Sequence, residues 1–126
     1  MNNERLTEIA ILHFLNAKEL YFFTLNEARL ALSYCGDVKS AVAALGENLG
    51  EDFAEYVGTL RDDEPRAYSA SFNLAENLLY ASVNLIGWKA VARPIVEQAA
   101  EELEQAKRAE RVARLDSIGM EGGENL

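Results

Sequence analysis

The sequence predicts an all-α domain, and three observations carry that prediction. There are only two prolines in 126 residues, the glycines and prolines fall between segments rather than inside alternating runs, and the apolar residues recur at spacings of three and four. A chain that is 49% hydrophobic and 26% charged lies outside the disordered regime, and its length suits one domain with one core. The breakers Gly36, Gly46, Gly50, Pro65 and Pro94 divide it into five or six helices. The expected domain covers 1–115, with a flexible tail over 116–126.

From residue 4 to about 21, Leu6, Ile9, Leu12 or His13, and Leu20 mark one face of a first helix. Thr24 and Glu27 then match a capping box, with Phe23 placed to staple onto the first turn, so a second helix is expected from Leu25 to Cys35. One bent helix over 4–35 is the alternative. Gly36 ends this segment, and Asp37 caps a short helix from Val38 to Leu45 that Gly46 closes. Asn48 and Glu51 offer a further cap for a helix over about 49–61, which would bury Phe53, Tyr56, Val57 and Leu60.

Asp63 or Glu64 is expected to cap the next helix, with Pro65 in its first turn. Between Pro65 and Trp88 the only charges are Arg66 and Glu76. Tyr68, Phe72, Ala75, Leu79, Val83 and Ile86 form one stripe, and Leu74, Leu78, Ala81, Leu85 and Trp88 a second. A helix apolar on most of its circumference is predicted to be buried, which makes 65–92 the expected central helix. Asn73, Asn77 and Asn84 would then need partners. Pro94 implies a kink or a restart, after which Ile95, Ala99, Leu103 and Ala106 give a long, heavily charged amphipathic helix. Gly119, Gly122 and Gly123 follow with no apolar period.

Charge is the most informative feature for function. Residues 47–64 hold Glu47, Glu51, Asp52, Glu55, Asp62, Asp63 and Glu64 against Arg61 alone, which accounts for −6 of the net −9. Gly36, Asp37, Val38, Ala41, Val42, Leu45 and Gly46 resemble the first helix of Fis-type helix-turn-helix motifs, over roughly a dozen positions. That resemblance implies a DNA-binding regulator using residues 25–61. The helix in the reading position is acidic, however, and phosphate contacts need cations. Direct nucleic-acid binding is therefore disfavoured, and the acidic stretch points to a partner protein with a basic, nucleic-acid-binding surface. Tyr21, Phe22 and Phe23 are consecutive, so they cannot all face one core; Tyr21 and Phe22 are candidate anchors for such a contact.

Other chemistry finds little support in the residues. Cys35 and His13 are the single cysteine and the single histidine, and no third residue frames them as a catalytic dyad. One histidine excludes the paired Glu-x-x-His pattern of ferritin-like iron sites. Glu97, Glu101, Glu102 and Glu104 would suit a magnesium-dependent all-helical nucleotide hydrolase, yet Lys107, Arg108, Arg111 and Arg114 stand at salt-pairing distance along the helix. Asp62, Asp63 and Glu64 lack the alternation and glycine of a calcium loop. No cofactor and no metal are expected. No stretch reaches the roughly 18–20 apolar residues of a membrane span, and the N-terminus lacks a basic region and cleavage site, so a cytoplasmic protein is expected. The expected function is a non-enzymatic inhibitor or regulator, analogous in size, charge and fold class to phage anti-CRISPR proteins, with homodimerisation through the C-terminal helix as a further expectation.

Overall fold

The structure is a computed structural model that describes residues 3–63, 65, 66 and 69–124, with side chains over 3–62, 65, 66 and 69–116. Among the described residues there are five helices and no strands: α1 (Asn3–Asn16), α2 (Lys18–Cys35), α3 (Val38–Asp63), α4 (Ala70–Leu85) and α5 (Trp88–Glu124). The bundle is all-α, as the spacing of its apolar residues predicts. The expected capping of α4 by Asp63 or Glu64, and the place of Tyr68 in its stripe, lie outside the described side chains. Ser69 caps α4, its Oγ accepting from the Phe72 amide at 3.1 Å, and Pro65 stands in the preceding turn rather than in the helix.

The core is a three-helix contact. Leu25 and Ala28 of α2, Ala41, Val42, Leu45 and Leu49 of α3, and Val91, Ala92, Ile95, Val96 and Ala99 of α5 are all buried, with Phe14 of α1 closing one end. Each Val, Leu or Ile withdrawn from water in this way contributes about 1.5–3 kcal/mol. Helix α5 packs against both α2 and α3, and these pack against each other. The centre is thus the first third of α5. The helix assigned to 65–92 from its composition is broken at Ile86 and Gly87, and its main part, α4, lies at the edge, packed along α3 and α1. Asn73, Asn77 and Asn84 are exposed there, so none needs a buried partner.

Two local expectations fail for identifiable reasons. Thr24 is not a cap: it is fully buried in the middle of α2, where its hydroxyl donates to the Leu20 carbonyl at 2.7 Å. A threonine can satisfy its hydroxyl this way inside a helix as readily as at a helix start. The real junction is at Ala17, across which helical hydrogen bonds run from Ala17 N–H to the His13 carbonyl and from Tyr21 N–H to the Ala17 carbonyl. Residues 3–35 are therefore close to the bent single helix considered as the alternative. Pro94 sits in the second turn of α5 and the helix continues through it. That helix runs to Glu124, over most of the stretch expected as a tail.

The second failure is the more consequential. Gly46 does not end a helix, because α3 runs unbroken through Gly46 and Gly50 to Asp63. These glycines remove side chains where α5 crosses. A Cβ on Gly46 would stand 3.0 Å from the Lys89 amide nitrogen, and one on Gly50 would stand 2.9 Å from Cδ1 of Trp88. Gly46, Gly50, Ala54 and Gly58 recur every four residues, making a smooth track on α3 for Trp88 and α4. With no turn after Leu45, the segments 38–45 and 49–61 are one helix rather than the two that the Fis-type resemblance implies.

The turn before α3 follows the sequence closely. Gly36 adopts the left-handed conformation, φ 81°, and its amide donates to the Leu32 carbonyl at 2.9 Å. Asp37 caps α3 through Oδ1, which accepts from the Ser40 amide at 2.8 Å, and Oδ2, which accepts from the Ser40 hydroxyl at 2.9 Å. The Ser40 amide, then its hydroxyl, hold the Asp37 carboxyl below its ordinary value of 3.8, with a smaller contribution from Lys39.

Two predictions follow from these contacts. Gly46→Ala and Gly50→Ala should each lower the melting temperature in thermal denaturation, although alanine is favoured over glycine by about 1 kcal/mol in an open helix. A rise for both would show that the crossing is looser than described. Asp37→Ala should lower the melting temperature at neutral pH. Because the folded-state pKa is depressed, that difference should be complete above 3.8 and vanish as pH falls through the lower folded value, which melts at about pH 7 and about pH 2 would show.

Candidate functional site

An unbroken α3 arranges its carboxylates on one side. Glu47, Glu51 and Glu55 are four residues apart, and Asp62 returns to the same side three turns beyond Glu51, while Asp52 is offset by about 100°. All five are exposed. Glu47, Glu51, Asp52, Glu55 and Asp62 form no ion pair among the described residues. Asp63 and Glu64, the other acidic residues singled out in the sequence, lie outside the described side chains.

The cations are held elsewhere. Arg61, the one basic residue of 47–64, turns to α4, where its Nη2 lies 3.0 Å from Oε1 of Glu76 and 2.8 Å from Oδ1 of Asn73. Its Nε reaches Glu76 Oε2 at 3.3 Å, and its guanidinium lies over the Phe72 ring, 5.9 Å from the centroid. Glu76 is only 14% exposed, so this bidentate contact is the polar tie between α3 and α4. Arg29 of α2 meets Glu102 of α5 at 2.8 Å. Further along α5, Arg108 and Arg111 meet Glu104, and Arg114 meets Glu110. None of these arginines is within pairing distance of the α3 row.

Beside the row runs a shallow open groove of ≈ 540 Å³, floored by Gly46, Gly50 and Ala54 and bordered by Glu47, Glu51, Asn84, Trp88 and Lys89. Trp88 is its fixed wall. The indole stacks on Phe53 with centroids 5.3 Å apart, meets Phe14 edge-on at 6.3 Å, and donates from Nε1 to the Val83 carbonyl at 2.9 Å. That last bond satisfies one of the carbonyls left open at the end of α4. On α1, the Thr7 hydroxyl oxygen accepts from the Gly87 amide at 2.8 Å, which anchors the α4–α5 junction from the other side.

The aromatic anchors divide. Tyr21 is half-buried against the core and meets Phe22 edge-on at 5.8 Å, whereas Phe22 and Phe23 are 55% and 63% exposed. His13 lies in the last turn of α1 and Cys35 at the far end of α2, a helix about 27 Å long. Glu97 and Glu101 are exposed on α5, Glu101 accepting from Gln105 at 3.4 Å. Among the described residues no three His, Cys, Asp or Glu side chains converge as a metal site. No helix of the described residues is long and apolar enough to cross a membrane.

Sequence reasoning missed Trp88 and its glycine track, although a signal was present. Glycine or alanine every fourth residue from 46 to 58 marks a helix face that another element approaches closely. The chain matches no protein-family profile, no curated protein and no solved structure at a significant level.

The unpaired row makes a simple stability prediction. Like charges four residues apart repel along a helix, so Glu51→Lys should convert two repulsive contacts, with Glu47 and Glu55, into attractive ones. The melting temperature should rise slightly at low salt, and the gain should fade as salt is added. A marked loss of stability would mean that Glu51 has a structural partner.

Proposed function

We propose that this protein is a non-enzymatic binding module that docks the carboxylate row of α3 on a basic surface of a partner protein, of the kind that otherwise holds nucleic acid. The observation that supports this reading is the exposure of Glu47, Glu51, Asp52 and Glu55 together with their lack of an ion pair among the described residues. Clustered charge of one sign steers association and sets partner choice more than it sets raw affinity. The row lies on a single rigid helix, so its charges keep a fixed spacing. A partner whose cations are spaced to receive phosphates along a backbone would meet several carboxylates at once. Occupying such a surface excludes nucleic acid from it, which makes inhibition the activity that follows. Phe22 and Phe23 supply exposed aromatic surface for a second, apolar contact.

The test is competitive capture with the full chain. Wild type should retain basic proteins at low salt and release them on addition of nucleic acid, or at about 0.5 M salt where screening is nearly complete. The variant Glu51→Lys/Asp52→Lys/Glu55→Lys should lose that set while keeping its helical circular dichroism. Identical sets for wild type and variant would overturn the proposal. So would a shift of labelled DNA by the wild-type chain in an electrophoretic mobility assay.

A further inference from the structure

Three surfaces meet in the groove beside the α3 row. The floor is smooth and apolar, because Gly46, Gly50 and Ala54 stand in line on α3 with no side chain larger than a methyl group. Glu47 and Glu51 each follow a floor glycine by one residue, so they stand about 100° around the helix from the floor and about 6 Å apart along it. Trp88 forms the wall, half-buried, with part of its indole open to the groove. Lys89 borders the same groove, yet among the described residues it forms no ion pair with Glu47 or Glu51.

We propose that this groove receives an arginine side chain of the partner protein. The proposal rests on the docking reading of α3 and names the residue type that the groove selects. Two carboxylates against one ammonium leave the border net negative, so a cation is attracted and Lys89 opposes it only in part. A long cationic side chain lays its methylenes along apolar surface and keeps its charged end toward polar groups, which suits a glycine and alanine floor flanked by carboxylates. Between the two such residues the groove favours arginine. Its guanidinium is planar and weakly hydrated, presents its N–H donors in a fixed fork and lies well against aromatic rings, whereas the lysine ammonium is a compact, strongly hydrated point charge. Glu47 and Glu51 supply acceptors for that fork, and Trp88 supplies the aromatic surface. The chain seats one of its own arginines in this manner, since Arg61 pairs with Glu76 while lying over the Phe72 ring.

Trp88 is the one tryptophan of the chain, so its emission reports what enters the groove. Titration of the full chain at low salt with hexa-arginine and with hexa-lysine, two peptides of equal charge, reads affinity and the surroundings of the indole together. Hexa-arginine should bind several-fold more tightly than hexa-lysine and should shift the emission of Trp88. Ala54→Leu fills the floor without changing any charge, and it should bring hexa-arginine down to the affinity of hexa-lysine. Ala43→Leu, at the other end of the groove, should act in the same sense and serves if Ala54→Leu loses helical circular dichroism. Lys89→Gln should tighten hexa-arginine and Glu51→Gln should weaken it. Glu55→Gln, on the row but outside the groove, should weaken both peptides alike.

Equal affinities for the two peptides overturn the proposal and leave the docking reading in place, since the row would then hold any cation. An arginine preference that leaves Trp88 emission unchanged, or that survives both Ala54→Leu and Ala43→Leu, puts the contact elsewhere and overturns it too. Binding of neither peptide has the same effect, and the capture of basic proteins then decides the docking reading by itself.

Discussion

Trp88 can sit where it does because Gly50 has no side chain, and from that fit follow the position of α5, the end of α4 and the lodging of α1. The indole is the first residue of α5, so fixing it fixes where Val91, Ile95 and Val96 enter the core. Its N–H bond to Val83 turns the chain between α4 and α5, and its stacking on Phe53 and edge-on contact with Phe14 draw α1 into the same joint. Gly46 completes the arrangement one turn earlier, admitting the Lys89 backbone where a side chain would not fit. A glycine inside a helix costs about 1 kcal/mol relative to alanine. At Gly50 the missing side chain admits the Trp88 indole, which stacks on Phe53.

The ionic contacts act on a different level, since they sort charge more than they stabilise. Arg29 with Glu102 joins α2 to α5, and Arg61 with Glu76 joins α3 to α4. Exposed pairs of the first kind contribute little, about 0–1 kcal/mol, and the more enclosed second one gains from its bidentate geometry. Their larger effect is to commit Arg29, Arg61, Arg108, Arg111 and Arg114 to partners on α4 and α5, leaving Glu47, Glu51, Asp52, Glu55 and Asp62 without an ion pair among the described residues. Helix continuity and charge placement thus belong to the same chain segment, in which Gly46 and Gly50 admit Lys89 and Trp88 while Glu47 and Glu51 border the groove beside them.

Much of this was legible in the residues alone. The helical class followed from spacing, the turn at Gly36 and Asp37 from side-chain chemistry, and the burial of Ile95 and Ala99 from period. Exposure of Glu47, Glu51, Asp52 and Glu55 followed from charge. What escaped was decided by contacts between distant segments. A glycine reads as a helix end unless a neighbour needs the space, and that neighbour, Trp88, is 38 positions from Gly50. A threonine three residues before a glutamate reads as a cap unless its hydroxyl finds a carbonyl in its own helix, as Thr24 does. An apolar circumference reads as a central helix, whereas α4 keeps one apolar side against α3 and leaves the other in water. The composition of a helix states how much surface is apolar, and only the assembled bundle states which part remains bare.

Helix α5 is 37 residues, about 55 Å, and only its first dozen residues belong to the core. One continuous rod therefore obeys two kinds of thermodynamics. Up to Ala99 it melts with the domain as a single cooperative unit. Beyond Leu103 it behaves as a solitary peptide helix, held by Glu104, Arg108, Arg111, Glu110 and Arg114 along its own length. Warming or salt should unwind that far end gradually from its tip, as a sloping baseline ahead of the main transition, while amide exchange there runs orders of magnitude faster than at Ile95.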